Sequence, residues 1–123
     1  MAPEHTEDAV LKLMAKPSFK LFERLRMEFD GIVRGSGRKC ELVPYFISGH
    51  PGCGMREMKK LAGNPALKGL YMDQVQDFTP TPMTTSSVMY YTGLDPKNLQ
   101  KVFVERDIER KREQKSFFFR RGK

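Results

Sequence analysis

A polar, glycine-rich bend follows a short apolar run near the middle of the chain. The apolar run covers residues 42–47, and the bend begins at Ser48. Gly49 and Gly52 would let the backbone approach a ligand closely, because glycine has no side chain to keep the ligand away. Ser48 and His50 add hydrogen-bonding groups that could orient a ligand. The bend is therefore a candidate binding site.

A second polar group occurs in the next predicted strand, residues 74–78. If the two strands are parallel, their carboxyl ends meet at one edge, which would bring Gln76 and Asp77 close to the bend. A structural alternative stays open for each side chain. His50 precedes Pro51 and can be a turn residue whose ring bonds to the backbone, while Gln76 and Asp77 can be buried groups that hold neighbouring loops.

Length and composition favour a folded domain with one core. The chain has 123 residues, 39% of them hydrophobic, with nine Phe and four Tyr. No apolar run reaches the roughly 18 residues that a membrane helix needs, and the first residues do not resemble a signal peptide. We expect a cytoplasmic protein without membrane association. The two cysteines, Cys40 and Cys53, form no paired motif and predict neither a disulfide framework nor a zinc site.

The first part of the chain predicts two helices. Thr6 can cap a helix that runs to about Lys16, since a hydroxyl can accept hydrogen bonds from free backbone amides. Pro17 ends this helix, and Ser18 can cap the next one. The second helix carries an apolar stripe at helical spacing that should face a core: Phe22, Leu25, Phe29 and Ile32.

The rest of the chain predicts a strand, helix and strand followed by a less regular region. A strand at 42–47 and a strand at 74–78 flank a helix at 55–62. Residues 89–96 and 102–104 are predicted to be extended. A last helix is predicted from Asp107, with the aromatic run near its end interrupting its charged pattern.

Several segments of this chain resemble YgiQ-type radical S-adenosylmethionine (SAM) proteins in sequence and in order. They are Ala-Pro-Glu-His-Thr at residues 2–6, the stretch 42–52, the stretch 73–84 with Gln-Asp-Phe-Thr-Pro-Thr-Pro-Met-Thr, and Tyr-Tyr-Thr-Gly-Leu-Asp-Pro at 90–96. The resemblance implies an α/β fold, namely a fragment of a partial parallel β/α barrel with an irregular C-terminal extension that ends in a helix. It implies that residues 1–82 are the C-terminal half of the barrel and residues 83–123 the extension.

The same resemblance implies a set of SAM contacts at the ends of three barrel strands. The loop after the fifth strand, with Ser48, Gly49 and His50, would lie near the adenine, and Glu4 and His5 near the ribose or methionine part. Gln76 would complete the set from the sixth strand. For Glu4, His5 and neighbouring Thr6, capping of the following helix is the structural alternative.

The cysteine motif that holds the iron–sulfur cluster of such enzymes is absent from this sequence. The family uses a Cys-x3-Cys-x2-Cys arrangement, and Cys40 and Cys53 are too few and wrongly spaced. The resemblance therefore implies SAM and a [4Fe–4S] cluster in a full-length parent, no cofactor in this chain alone, and no catalysis by it alone. We expect the chain to be an excised piece or the product of an internal gene start.

Two kinds of partner follow from these expectations. A half-barrel would pair with the missing N-terminal half of the barrel, or with a second copy of itself through an exposed strand edge. The alternative function is a basic module that binds RNA or an acidic protein, because basic and aromatic residues lie together in the tail at 117–121. The wider basic segment, residues 105–123, also contains interleaved acidic residues, which favour the simpler interpretation of a solvated helix end: Glu105, Asp107, Glu109 and Glu113.

Overall fold

The computed structural model describes residues 1–72 and 74–119. The elements are the helices α1 (Asp8–Leu13), α2 (Phe19–Ser36), α3 (Met55–Gly63), α4 (Thr85–Thr92) and α5 (Ile108–Phe119), the strands β1 (Tyr45–Ser48) and β2 (Gln74–Asp77), and a short 3-10 helix, Pro65–Leu67. The chain is thus a mixture of helix and strand with a small parallel sheet, and the described residues do not form a barrel.

The sheet consists of β1 and β2 in parallel, with Tyr45 opposite Gln74 and Ser48 opposite Asp77. The first residues of the chain run parallel to β1 on its other side. There the amide of Glu4 donates to the Tyr45 carbonyl at 3.0 Å, and the amide of Ile47 donates to the Glu4 carbonyl at 2.9 Å. Three extended segments therefore lie side by side, with β1 in the middle.

The two faces of the sheet differ in what covers them. Side chains alternate along a strand, so Phe46 and Val75 share one face with Ser48, and all of these are buried. We call this the covered face. The opposite, open face carries Tyr45, Ile47, Gln74 and Gln76; Tyr45 is 44% exposed, and both glutamines are exposed.

A single hydrophobic cluster lies on the covered face. It combines residues of every helix except α4 with residues of both strands: Val10, Leu11, Phe19, Phe22, Phe46, Cys53, Met58, Leu61, Leu67, Val75 and Phe118. The ring of Phe118 in α5 packs 5.4 Å from that of Phe46 in β1. The last helix therefore shares the core of the strand–helix–strand unit.

The structure corrects two expectations near the start of the chain. Helix α1 ends at Leu13 and not at about Lys16. Thr6 does not cap it, because Glu7 is the N-cap residue and the buried Thr6 hydroxyl has no hydrogen-bond partner. The carboxylate of Asp8 instead accepts hydrogen bonds from the Ser18 hydroxyl and from the backbone amide of Phe19.

Strand β1 begins at Tyr45, three residues later than predicted, and includes Ser48. Pro44 explains the late start, because proline lacks the amide that a strand ladder needs. The apolar stripe of α2 is only partly covered. Phe22 is buried but Ile32 is 70% exposed, since an 18-residue helix is about 27 Å long and extends beyond strands about half that length.

The C-terminal part is more helical than predicted. Residues 85–92 form α4, where extended structure was expected from residue 89. Thr84 accepts a hydrogen bond from the Ser87 amide at the start of α4, and Gly93 ends it in the left-handed conformation. These caps override the strand preference of the Tyr-Tyr-Thr sequence. A last helix was predicted from Asp107, and α5 runs from Ile108 through the aromatic run to Phe119.

None of the helices in the described part of the chain combines the length and apolarity needed to cross a membrane.

Candidate functional site

The bend after β1 connects the strand end to α3. Gly49 and Gly52 have positive φ angles of 71° and 86°, which glycine adopts without strain. A Cβ atom at Gly52 would lie 2.4 Å from the Cδ1 atom of Leu13 in α1. The absence of a side chain at Gly52 therefore lets helix α1 of the same chain pack closely against the bend. The Gly54 amide donates to the Glu57 carboxylate at 3.0 Å, which fixes the start of α3.

His5 lies at the centre of this region and is completely buried. Its Nδ1 accepts a hydrogen bond from the Glu7 amide at 3.0 Å. A neutral imidazole with Nδ1 as acceptor carries its proton on Nε2, which therefore donates to the Cys53 sulfur 3.3 Å away. Burial, with a smaller contribution from His50, lowers the pKa of His5 to about 4. His5 is thus neutral at physiological pH.

Cys53 is buried beside His5, but the pair is not arranged as a nucleophile and base. Burial raises the pKa of the Cys53 thiol to about 12. A nucleophilic cysteine needs a lowered pKa, partial exposure and a base that can take its proton. Here a protonated thiol accepts a hydrogen bond from a neutral histidine, so the contact is structural.

His50 is also satisfied within the chain. Its Nδ1 lies 2.8 Å from the Pro51 carbonyl and can only donate to it, so Nε2 accepts a hydrogen bond from the Ser86 hydroxyl at 2.7 Å. The edge of the ring contacts Phe78, with centroids 5.0 Å apart. Burial lowers the pKa of His50. This geometry matches the alternative of a turn residue bonded to the backbone.

Ser48 bridges the ends of the two strands. Its buried hydroxyl donates to the Asp77 carboxylate at 2.9 Å. Lys115 of α5 reaches the other oxygen of that carboxylate at 3.3 Å. Asp77 therefore links the two strand ends to the last helix, although it is exposed and not the buried group of its structural alternative.

Gln114 of α5, which the sequence did not single out, occupies the middle of the strand-end region. It is completely buried. Its Oε1 accepts a hydrogen bond from the Gly49 amide at 3.2 Å, and its Nε2 donates to the Cys53 carbonyl at 3.3 Å. The Cys53 sulfur also lies 3.7 Å from Oε1. One side-chain amide thus satisfies both ends of the bend.

The other predicted contacts lie outside this buried network. Glu4 is half-buried, forms an ion pair with Lys16 at 3.4 Å and has a φ of 66°. Gln76 is exposed on the open face of the sheet. The structure therefore brings His5, Gly49 and His50 close to the strand ends and leaves Gln76 on the far side.

Several aromatic and basic residues of the C-terminal part also have their contacts within the chain. Phe118 lies in the core, so it is not available to stack on a base. The cations nearest an aromatic ring flank Tyr90 and bond within the chain: Arg106 donates to the Tyr90 carbonyl at 2.6 Å, and Lys111 donates to the Tyr90 hydroxyl at 2.9 Å. Asp73 of the resemblance motif and Arg120 and Arg121 of the tail lie outside the described residues.

The described side chains do not provide a site for the iron–sulfur cluster that the resemblance implies. Among residues 1–72 and 74–119, no group of three or more His, Cys, Asp or Glu side chains could hold a metal ion. Cys40 is exposed and Cys53 is buried, and their sequence spacing does not suit an iron–sulfur cluster. The cluster does not fit the described part of the chain. The buried polar groups of the predicted SAM set already have partners within the chain.

Comparisons with known proteins found one matching domain family and a group of similar, longer proteins. Residues 73–121 match the domain of unknown function DUF3362. The chain is similar to part of the UPF0313 proteins. It is 45% identical over 119 residues to a UPF0313 protein of Bacteroides thetaiotaomicron, a match that covers 97% of this chain and 19% of that protein. A UPF0313 protein of Methanosarcina acetivorans is 43% identical over 122 residues, covering 99% of this chain and 16% of that protein.

The chain spans about a fifth of the length of these curated relatives. The DUF3362 match includes β2, α4 and α5, and therefore the helix that carries Gln114. No solved structure gives a significant match.

Proposed function

We propose that the chain forms part of the wall of a SAM pocket in a longer radical SAM iron–sulfur protein and is not catalytic by itself. In the longer protein, SAM would supply the radical chemistry together with a cluster held by residues outside this chain.

The observation that carries the proposal is the arrangement of the sheet. The segment at Glu4, β1 and β2 lie side by side in chain order, all parallel, with helices packed on one face and the other face open. In a β/α barrel, consecutive parallel strands have helices outside and side chains inside. An incomplete barrel would have this appearance, with the open face as its inner wall.

The resemblance and the relatives support the same proposal from the sequence. The motifs at residues 2–6, 42–52, 73–84 and 90–96 occur in the order found in YgiQ-type radical SAM proteins. The similar UPF0313 proteins are about five times as long as this chain, which leaves room for the rest of a barrel and for a cluster motif.

The structure changes which residues we assign to the pocket. The buried His5, Ser48 and His50 hold the strand ends and the bend together, so their proposed role is to shape the wall. Gln76, exposed on the open face, is the side chain best placed to reach a ligand there. Glu4 remains a proposed contact through its half-buried carboxylate, whereas the Gly49 amide bonds to Gln114 and so belongs with the groups that shape the wall.

The proposed partner is the preceding part of the longer protein. Its segment would pair with the free edge at residues 1–4, next to an apolar groove lined by Pro3, Pro17, Phe19, Phe22 and Leu25. An additional parallel strand and its helix would cover both the edge and the groove. Association of two copies through this edge is the alternative partner. RNA binding ranks below both, because the cations beside Tyr90 bond within the chain.

The test uses the full-length Bacteroides relative, reconstituted anaerobically with iron and sulfide. We expect SAM to slow hydrogen exchange in the stretches aligned with residues 45–50 and 74–78, and the reduced protein to produce 5′-deoxyadenosine. The matched control is S-adenosylhomocysteine, which carries the same adenosine but cannot be cleaved to the radical.

Two results would overturn the proposal. One is SAM binding that protects only stretches outside these segments. The other is no binding of SAM by the reconstituted protein. RNA binding by this chain that weakens steeply with salt would favour the alternative function.

A further inference from the structure

We propose that Gln114 is a positioning residue: it fixes the bend between β1 and α3, so that the helix within the DUF3362 region determines the shape of the strand-end site. This inference rests on the proposed function only for the claim that the bend borders a ligand pocket. The positioning itself depends on contacts within this chain.

Gln114 joins both ends of the bend. The Gly49 amide follows the last residue of β1, and the Cys53 carbonyl precedes the first residues of α3. Because both groups meet one side chain, the bend cannot open at either end without losing a buried hydrogen bond. Buried backbone groups that lose their partner are costly.

The bend presents one backbone donor and one backbone acceptor to the same point, and a carboxamide is a neutral group with an acceptor and a donor side by side. A glutamate of the same length would offer only acceptors when ionised and would place a charge in a completely buried position. A leucine would leave both backbone groups without partners.

Helix α5 is held in place independently of Gln114. Phe118 packs on Phe46 in the core, and Lys115 pairs with Asp77 at the end of β2. Gln114 and Phe118 are four positions apart, so they lie one helical turn apart on the same side of α5. A helix anchored at β1 and β2 can therefore hold the bend in a fixed position.

The experiment uses Cys53 as a local reporter. In a Cys40→Ser background, Cys53 is the remaining cysteine, and its buried thiol reacts with an aromatic disulfide reagent only when the bend opens. We expect Gln114→Leu to raise the reaction rate at least tenfold under native conditions. Gln100→Leu is the control, because Gln100 is an exposed glutamine outside the network.

Two further measurements separate positioning from general stability. Urea denaturation gives the global effect of each variant, and positioning requires the thiol rate to rise by more than the loss of global stability explains. A pH series then compares Gln114→Glu with the parent at each pH. A protonated carboxyl has a donor and an acceptor, so acidification towards pH 5 should restore slow reaction in Gln114→Glu but not in Gln114→Leu.

A thiol rate unchanged in Gln114→Leu would overturn the proposal. So would a rate that rises only as far as the global loss of stability predicts, since Gln114 would then be an ordinary stabilising residue. Neither result depends on SAM, so a failure here is distinguishable from a failure of the proposed function.

Discussion

The covered face and the open face of the sheet belong to the same two strands but differ in how far their side chains are buried. Phe46 on the covered face is 1% exposed, whereas Tyr45, its neighbour in β1, is 44% exposed on the open face. On the covered face, helices from both ends of the chain pack into one cluster. The open face instead carries Tyr45, Ile47 and two exposed glutamines.

This difference shows how structural and functional demands are separated in the molecule. Hydrophobic burial on the covered face gives the chain its fold, because apolar area removed from water is the main favourable contribution to folding. The polar residues of the open face contribute little to that burial. They are therefore free to serve a ligand or another segment, which is why the proposed pocket wall lies there.

The largest expected difference between the faces is in stability. Phe46→Ala should lower the free energy of unfolding by about 3–5 kcal/mol, because it removes a buried ring and leaves a cavity. That is a large share of the total stability of a small domain. Tyr45→Ala, at the next position of the same strand, should cost less than half as much. Urea denaturation followed by circular dichroism measures both, and equal losses would contradict the distinction between the faces.

The next effect concerns the buried imidazoles at the strand ends. The pKa of His5 is about 4 when folded, against 6.5 for an unperturbed histidine. Between pH 4 and pH 6.5 the unfolded chain binds a proton that the folded chain does not. The free energy of unfolding therefore keeps its full value above pH 6.5 and falls as the pH drops towards 4. For His5 the loss amounts to about 3 kcal/mol over that range, and the lowered pKa of His50 acts in the same direction.

Urea midpoints between pH 8 and pH 4 test this expectation, together with an NMR titration of the histidine ring protons in the folded chain. Neither of the two histidines lies on the open face, so this loss of stability in acid belongs to the buried strand ends. A His5 ring that titrates near pH 6.5 in the folded protein would show that the region is hydrated and not closed.

The sequence predicted the elements of the covered face better than their limits. The apolar run before Ser48 and the composition of residues 74–78 correctly indicated two strands around α3, because a short apolar run and its composition are local signals. Pro44, which lacks a ladder amide, delayed the start of β1 by three residues relative to the predicted strand. Helix α4 was missed because its caps, Thr84 and Gly93, outweigh the strand preference of its tyrosines.

The site was harder to predict than the fold. Ser48 and His50 were predicted from the bend that ends a strand, and His5 was implied by the resemblance; all three lie near the strand ends. Which of them is satisfied by the chain itself depends on contacts far apart in sequence, such as His5 with Cys53 and His50 with Ser86. Gln114 had no local signal, because a glutamine in a charged helix normally faces solvent.

The smallest expected effect comes from the open face and tests whether it is open in solution. Gln76→Leu should change the free energy of unfolding of this chain by no more than about 0.5 kcal/mol, as for most exposed positions. A larger effect that also depends on protein concentration would mean that a second copy covers this face, because association shifts apparent stability by mass action. Denaturation at two concentrations separated by a factor of 50 distinguishes these cases. Concentration-independent unfolding with a negligible change at Gln76 is the result that an uncovered face requires.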